Sequence, residues 1–180
     1  SGAPVSRRLV FLGAALALIG PIEFANITAA AVRPGGAAIY VMEGGTLDRV
    51  DVTFSGCVGR AGGALFLEDS TAAFLAGVSF LGNAAAAVAE NDGWGGAVYL
   101  GAGAALDASG VRAAGNAAVS GGFLFGDAGA AVALTDAEVA GNSAAAGGAC
   151  LLHEASLAAT RTLFTGNSAA GAGGAGFLDG

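Results

Sequence analysis

The stretch GGACLLHEASLAATRTLFTGNSAAGAGGAGFL, residues 147–178, contains the pattern that decides the fold. It opens with Gly147-Gly148-Ala149, and the same tripeptide returns 26 residues later as Gly173-Gly174-Ala175. Between them lie a short apolar run, Cys150-Leu151-Leu152, and the tetrapeptide Phe164-Thr165-Gly166-Asn167. Because this order of features recurs along the chain, the sequence contains an internal repeat.

Two landmarks define the repeat. The Gly-Gly pairs of the repeat begin at positions 35, 62, 95, 121, 147 and 173, with spacings of 27, 33, 26, 26 and 26 residues. Alanine follows each pair except Gly121-Gly122, which phenylalanine follows. A Gly-Asn pair accompanies them, and the first full coil has Gly56-Cys57 in its place. An apolar residue lies three positions before this second landmark, at Phe54, Phe80, Ala113, Val139 and Phe164. We place Glu23-Phe24-Ala25-Asn26 as the same landmark one coil earlier.

Further apolar columns follow when the coils are stacked. Ten residues before the Asn position lie Leu47, Ala73, Leu106, Val132 and Leu157. Three residues after each Gly-Gly pair lies a largely aromatic column of Ile39, Phe66, Tyr99, Phe125, Leu151 and Phe177. Alternation does not settle the direction of the aromatic column, because the columns on both sides of it are apolar; we favour the core.

The apolar residues come in runs of three to five, separated by Gly, Asn, Asp and Ser, which is typical of short strands and turns. The dense leucine pattern of leucine-rich repeats and the long 3.6-residue periodicity of helical repeats are both missing. The sequence therefore predicts an all-β fold, a right-handed parallel β-helix of about six coils of ~26 residues. Alanine tracts such as 84–89 favour helix by propensity, but we expect the repeat to override it.

We expect residues 1–180 to form a single β-helix segment of a longer repeat protein. Residues 1–34 form a first, irregular coil, 35–172 five full coils, and 173–180 the start of the next. Arg7-Arg8 and the apolar run 9–20 could instead be a targeting segment. We favour the coil, since the run fits the repeat and is shorter than the ~20 residues of a membrane-spanning helix.

The recurring asparagines are predicted to form a structural ladder. Stacked at one turn, their amides can hydrogen-bond along the solenoid axis, and asparagine tolerates left-handed backbone. The ladder residues are Asn83, Asn116, Asn142 and Asn167. The Gly-Gly pairs are predicted to supply positive φ or a corner too tight for a Cβ atom.

The alternation of Gly-Gly-Ala with Phe-x-x-Asn resembles the repeat pair of chlamydial polymorphic membrane proteins, GGA followed by I, L or V, and FxxN. Matching pieces are Gly62-Gly63-Ala64-Leu65 with Phe80-Leu81-Gly82-Asn83, and Gly95-Gly96-Ala97-Val98. The resemblance covers about residues 20–180. It implies a β-helix passenger exposed at the cell surface and involved in adhesion.

Composition and polar residues give little support for chemistry. The chain has 33 glycines, a net charge of −7 and no basic stripe, so phosphate-backbone binding has no electrostatic support. His153, the single histidine, is expected at a solvated turn. Cys57 and Cys150 are expected to be unpaired buried thiols, about three to four coils apart, too far for a disulfide. We expect no catalytic residue, metal site or cofactor.

The alternative to a structural module is a polysaccharide-acting, pectate-lyase-like enzyme, which would place clustered acidic side chains in a groove on one strand face. Its candidate carboxylates show no recurring column, and we expect most of them to be solvated at turns. They are Asp48, Asp51, Glu68, Asp69, Asp107, Asp136 and Glu138.

One coil is seven residues longer than most of the others, and the excess lies within 84–94. Its possible contact residues are Glu90, Asn91, Asp92 and Trp94, the last being the single tryptophan. An excursion of this kind can carry recognition, but we favour a loop whose tryptophan packs back on the solenoid. Asn26-Ile27-Thr28 is a glycosylation sequon.

Together these features predict a structural or adhesive extracellular module of a larger cell-surface protein. Expected partners are other protein domains of the same chain or assembly, and surface glycans, with no nucleic acid and no membrane contact by this segment. A glycan-binding or ice-binding face is a further alternative, which a solvent-facing ladder of Thr or aromatic residues would favour.

Overall fold

The computed structural model describes residues 9–12, 15–29, 38–42, 44–87 and 92–179, and among these no residue is helical. In chain order the strands are β1 (Leu9–Leu12), β2 (Ala15–Ala25), β3 (Ile39–Met42), β4 (Thr46–Ser55), β5 (Val58–Gly59), β6 (Leu65–Leu67), β7 (Ala72–Ala76), β8 (Ser79–Leu81), β9 (Ala84–Ala85), β10 (Val98–Leu100), β11 (Ala105–Ser109), β12 (Arg112–Ala114), β13 (Leu124–Gly126), β14 (Ala131–Thr135), β15 (Glu138–Ala140), β16 (Ser143–Ala144), β17 (Cys150–His153), β18 (Ser156–Thr160), β19 (Leu163–Thr165), β20 (Ser168–Ala169) and β21 (Gly176–Asp179).

All strand pairs are parallel, and each joins equivalent segments of neighbouring coils. Seven strands form the first sheet, in the order β1-β3-β6-β10-β13-β17-β21. A second sheet has two arms that meet at β4. We call the arm β4-β7-β11-β14-β18 the long ladder and the arm β4-β8-β12-β15-β19 the short ladder. Two small pairs, β5-β9 and β16-β20, follow the asparagine turn. The predicted parallel β-solenoid of about six coils is therefore confirmed.

The register confirms most of the predicted columns. Leu47, Ala73, Leu106, Val132 and Leu157 pair in succession along the long ladder. Phe54, Phe80, Ala113, Val139 and Phe164 do so along the short ladder. The described part of the alanine tract, residues 84–87, contains strand β9 and no helix, because pairing with Val58 and Gly59 of the coil before fixes its backbone.

The first coil departs from the predicted alignment by one residue. Ile39 pairs with Leu65, and Tyr40, not Ile39, pairs with Phe66 at the head of the aromatic column. Ile39 is fully buried in the core. The Gly-Gly spacing of 27 residues in this coil is one longer than in most others, and core packing of Ile39 sets the strand register in spite of it.

The N-terminal apolar run forms a coil, as we expected. Strand β1 pairs with β3, and β2 pairs with β4. The predicted landmark is shifted, however: Phe24 pairs with Phe54, so Ile27 takes the asparagine position and Asn26 the glycine position. Asn26 has φ of 54°, close to the 59° of Gly56 one coil on. Asparagine tolerates this left-handed conformation, which explains the replacement.

A single apolar core fills the interior between the first sheet, the long ladder and the short ladder. Phe24, Phe54 and Phe80 stack along it with ring centroids 5.2 Å apart. At the next coil Ala113 interrupts this phenylalanine column. Phe123, the residue that replaces alanine after its Gly-Gly pair, is fully buried and places its ring 5.6 Å from that of Phe80. The exception to the Gly-Gly-Ala motif thus supplies the core volume that Ala113 lacks.

The Gly-Gly corner uses its two glycines differently. The first has positive φ, for example 67° at Gly121. A Cβ atom on the second would overlap backbone of the next coil; at Gly122 it would strike the carbonyl oxygen of Gly148 and lie 2.7 Å from the backbone nitrogen of Ser143. The corner thus requires glycine because one position is left-handed and the other allows backbones to approach closely.

Candidate functional site

The asparagine ladder lies in the interior, next to the short ladder. Asn116 accepts hydrogen bonds on Oδ1 from the backbone N–H of Asn83 (2.9 Å) and from its Nδ2 (3.0 Å). The Nδ2 of Asn116 donates to Oδ1 of Asn142 (2.8 Å) and to the carbonyl oxygen of Phe80 (3.0 Å). Every polar atom of this side chain is thus satisfied, and Asn116 is fully buried.

The same pattern repeats from coil to coil. Asn142 donates through Nδ2 to Asn167 (2.9 Å), and Cys57 N–H donates to Oδ1 of Asn83 (3.0 Å). Each asparagine also donates to the carbonyl of the apolar residue three positions before the landmark of the preceding coil; for Asn167 this is Val139, at 2.8 Å. The Phe-x-x-Asn spacing therefore places an apolar side chain in the core and turns its carbonyl toward the next asparagine.

The aromatic column faces outward, so our expectation that it points into the core is wrong. Tyr99, Phe125 and Leu151 form a cluster separate from the core, while their neighbours Val98 and Leu100 belong to the core. Phe66, Tyr99 and Phe125 are stacked, with centroids 4.6 and 5.6 Å apart. Strand alternation requires this arrangement once Val98 and Leu100 point inward.

Trp94 covers this outer aromatic stack. Its ring lies 5.3 Å from that of Phe125 and 6.0 Å from that of Tyr99, nearly parallel to both. The tryptophan therefore packs back on the solenoid, the alternative that we favoured. Glu90 and Asn91 lie outside the described residues.

The inserted segment is fixed by a largely buried ion pair. Arg60 of the coil before donates two hydrogen bonds to the carboxylate of Asp92, one from Nε to Oδ1 (3.1 Å) and one from Nη2 to Oδ2. Asp92 follows the undescribed part of the insertion. The two side chains are only 11% and 9% exposed. Two parallel hydrogen bonds to one carboxylate fix its orientation.

At the edge of the aromatic column, tyrosine hydroxyl groups donate hydrogen bonds to carboxylates. Tyr40 donates to Glu68 (2.9 Å) and Tyr99 to Asp127 (3.5 Å). Burial, and then the negative charges of Asp127 and Asp69, raise the pKa of Tyr99 above its usual range, so its hydroxyl stays protonated and can donate.

The candidate acids of the enzyme alternative do not converge. Asp136 pairs with Arg161 (2.6 Å), and Glu138 lies 3.8 Å from Arg112. The Arg161 hydrogen bond lowers the pKa of Asp136. Asp51 has φ of 56° and occupies the exposed bend of β4. Among the residues that the structure describes, no three His, Cys, Asp or Glu side chains come together in a group that could hold a metal ion.

Two of these acids share an exposed column with an aromatic residue that the sequence analysis missed. Asp48 pairs with Phe74, and Phe74 with Asp107, on the outer face of the long ladder. All three are exposed, Phe74 to 51%. Each lies nine residues before the asparagine position of its coil, and counting back from that landmark would have found them.

The thiols follow expectation, whereas the histidine is exposed as expected but ends strand β17 and does not lie at a turn. Cys57 and Cys150 are free and buried, and burial raises the pKa of both, that of Cys150 to about 12. His153 is exposed, with Nδ1 3.7 Å from Asp179. Neither thiol is therefore ionised near neutral pH.

The match to a known family lies in the last described coil. Residues 161–178 contain strand β19, Asn167 of the ladder, and a Gly-Gly corner whose first glycine has φ of 69°. This segment matches the Chlamydia polymorphic membrane protein repeat. The β-solenoid is consistent with stacked polymorphic membrane protein-like repeats, as the sequence resemblance implied. Neither a curated protein nor a solved structure matches the chain. In the parts of the chain that the structure describes, no helix is both long and apolar enough to cross a membrane.

Proposed function

We propose that the chain is a rigid, non-enzymatic module of a larger cell-surface protein, with a structural and adhesive role. The observation that carries this proposal is the asparagine ladder, in which each buried amide is bonded to the coils on both sides. Cross-coil bonds of this kind resist bending between coils, since any tilt would leave buried polar groups unpaired.

The proposed location is supported by the match of residues 161–178 to the polymorphic membrane protein repeat. A repeat from a membrane protein family supports placement of the module at the cell surface, and the outward extension of a stiff solenoid would present its faces to other molecules. Partners are other protein domains of the same chain or assembly, together with surface glycans.

The enzyme alternative has no comparable observation in its favour. The acids nearest to a groove, Asp48 and Asp107, have an exposed phenylalanine between them, and two further candidates form ion pairs with arginines on the surface. An inverting glycosidase needs a water molecule between carboxyl groups that lie about 6.5–9.5 Å apart, and the ring of Phe74 occupies that place between Asp48 and Asp107.

Two measurements test the proposed function. Antibodies raised against the folded chain should label intact cells that express the full-length protein without permeabilisation. Beads coated with the purified chain should attach to cells more often than beads coated with the same chain after heat unfolding. Labelling only after permeabilisation, or turnover of pectin-like polymers by the purified chain, would contradict the proposal.

A further inference from the structure

The outer face of the long ladder carries an exposed aromatic ring between two carboxylates. Phe74 is 51% exposed, far more than the outward aromatic residues Tyr99 and Phe125, which are each 8% exposed. Asp48 lies one coil before it and Asp107 one coil after it in the same register position. Neighbouring parallel strands are about 4.8 Å apart, so each carboxylate lies within reach of the ring.

A shallow apolar groove adjoins the ring. It has a volume of about 370 Å³ and continues from Phe74 and Asp107 across strands β14 and β18. Its lining is made mostly of small side chains, among them Ala105, Ala131 and Ala158. Small residues on three successive strands leave room beside the ring for an apolar side chain of a partner.

The described side chains of this face carry charge of one sign. Of the described side chains that point outward from the long ladder, only Asp48 and Asp107 are charged. Arg112 and Arg161, which follow the bends of their coils, pair with acids there. The chain as a whole has a net charge of −7. A partner for this face therefore has to bring positive charge.

We propose that Phe74, Asp48 and Asp107 bind an arginine or lysine side chain of an extended, basic segment of a partner protein, with the next apolar side chain of that segment in the groove. A cation within about 6 Å of an aromatic ring is attracted by its negative face. Carboxylates on both sides add charge-assisted hydrogen bonds to a guanidinium or ammonium group.

A second copy of this chain fits the face less well, because it would bring its own Asp48 and Asp107 against the same two carboxylates, and like charges in contact oppose association. A neutral glycan could stack on the ring but would gain nothing from the single sign of charge. The inference rests on the proposed adhesive role and names the chemistry of the partner.

The test measures binding of the full chain to a labelled peptide of alternating arginine and leucine by fluorescence anisotropy. We expect binding that weakens steeply from about 50 mM to about 300 mM salt, and none to a peptide with glutamate in place of arginine. Phe74→Ala should weaken binding about threefold to fivefold. The double substitution Asp48→Asn with Asp107→Asn should weaken it about fivefold.

Matched controls are Leu163→Ala, which truncates another exposed apolar side chain, and Glu138→Gln, which neutralises an exposed carboxylate of the short ladder. Both should leave the affinity unchanged, and all variants should keep the thermal midpoint of the parent. Equal effects of test and control variants would overturn the proposal, as would Phe74-dependent binding of cellohexaose without peptide binding. If the coated beads still adhere while the peptide does not bind, the basic-segment site is refuted and the proposed function stands.

Discussion

Replacement of Asn116 by leucine would remove one rung of the ladder while keeping a side chain of similar size. Asn116 takes part in hydrogen bonds to both neighbouring coils: it accepts two from Asn83, and it donates one to Asn142 and one to the carbonyl of Phe80. The substitution Asn116→Leu eliminates all of them. Asn83 retains only its side-chain bond to Phe54 on the donor side.

The magnitude follows from the groups left unpaired. Asn83 is 0% exposed, so water cannot replace the acceptor that its backbone N–H and its amide lose. A buried donor or acceptor without a partner costs about 1–3 kcal/mol. The two donors that lose their acceptor on Asn83 and the lost bond to the Phe80 carbonyl, at that cost each, together give a loss of about 3–9 kcal/mol, a large part of the ~5–15 kcal/mol by which domains are stable.

The assay is urea unfolding followed by the fluorescence of Trp94 and by far-ultraviolet circular dichroism. Ser109→Ala, at an exposed strand position, is the matched control and should change the free energy of unfolding by less than about 0.5 kcal/mol. If Asn116→Leu does not fold, Asn167→Leu gives a graded test, because Asn167 is only half-buried and its loss should be smaller. A change below about 1 kcal/mol for Asn116→Leu would refute the reasoning.

Three further predictions concern the corner, the outer aromatic stack and the core. Gly122→Ala should lower the free energy of unfolding by more than about 4 kcal/mol, since its Cβ would overlap backbone. Gly82→Ala, at φ of 60° with open space around it, should lower it by about 1–2 kcal/mol. Urea unfolding measures both losses, and similar values would contradict the corner geometry. Trp94→Ala should lower the free energy of unfolding by about 1–3 kcal/mol, because it removes two ring contacts. Urea unfolding followed by circular dichroism measures this loss, and an unchanged free energy would contradict the outer stack. Burial raises the pKa of Cys150 from 9.0 to about 12, so the folded state holds the thiol proton more tightly than the unfolded state. This contribution to stability is complete below pH 9 and falls by up to about 4 kcal/mol as pH rises toward 12. The loss should be smaller in Cys150→Ala, and an identical pH dependence of the two proteins would refute this prediction.

The sequence predicts the register of most coils because the same side chains solve the same packing problem in each. A shift of one residue would bring polar positions such as Asp107 into the core and expose Leu106. The Gly-Asn landmark therefore locates strands of the long and short ladders correctly. It fails at the N-terminal coil, where Asn26 adopts the left-handed conformation of the missing glycine and displaces the asparagine position to Ile27.

Direction and surface chemistry were harder to predict. The aromatic column has apolar neighbours on both sides, so alternation could not tell which set faces the core, and the structure resolves this by burying Val98 and Leu100. The repeat does not reveal the column of Asp48, Phe74 and Asp107, because the residue type changes from each of these coils to the next. A column of unlike residues has no repeat signal, although its members share one face.

Amide hydrogen exchange of the asparagine side chains tests the stacking of the coils most directly. In a nuclear magnetic resonance spectrum of the folded chain, the Nδ2 protons of Asn83, Asn116 and Asn142 should exchange slowly, and each should show a nuclear Overhauser effect to the asparagine of the next coil. Rapid exchange of these protons, or no contact between successive asparagines, would mean that the amides face solvent and that the coils do not stack as described.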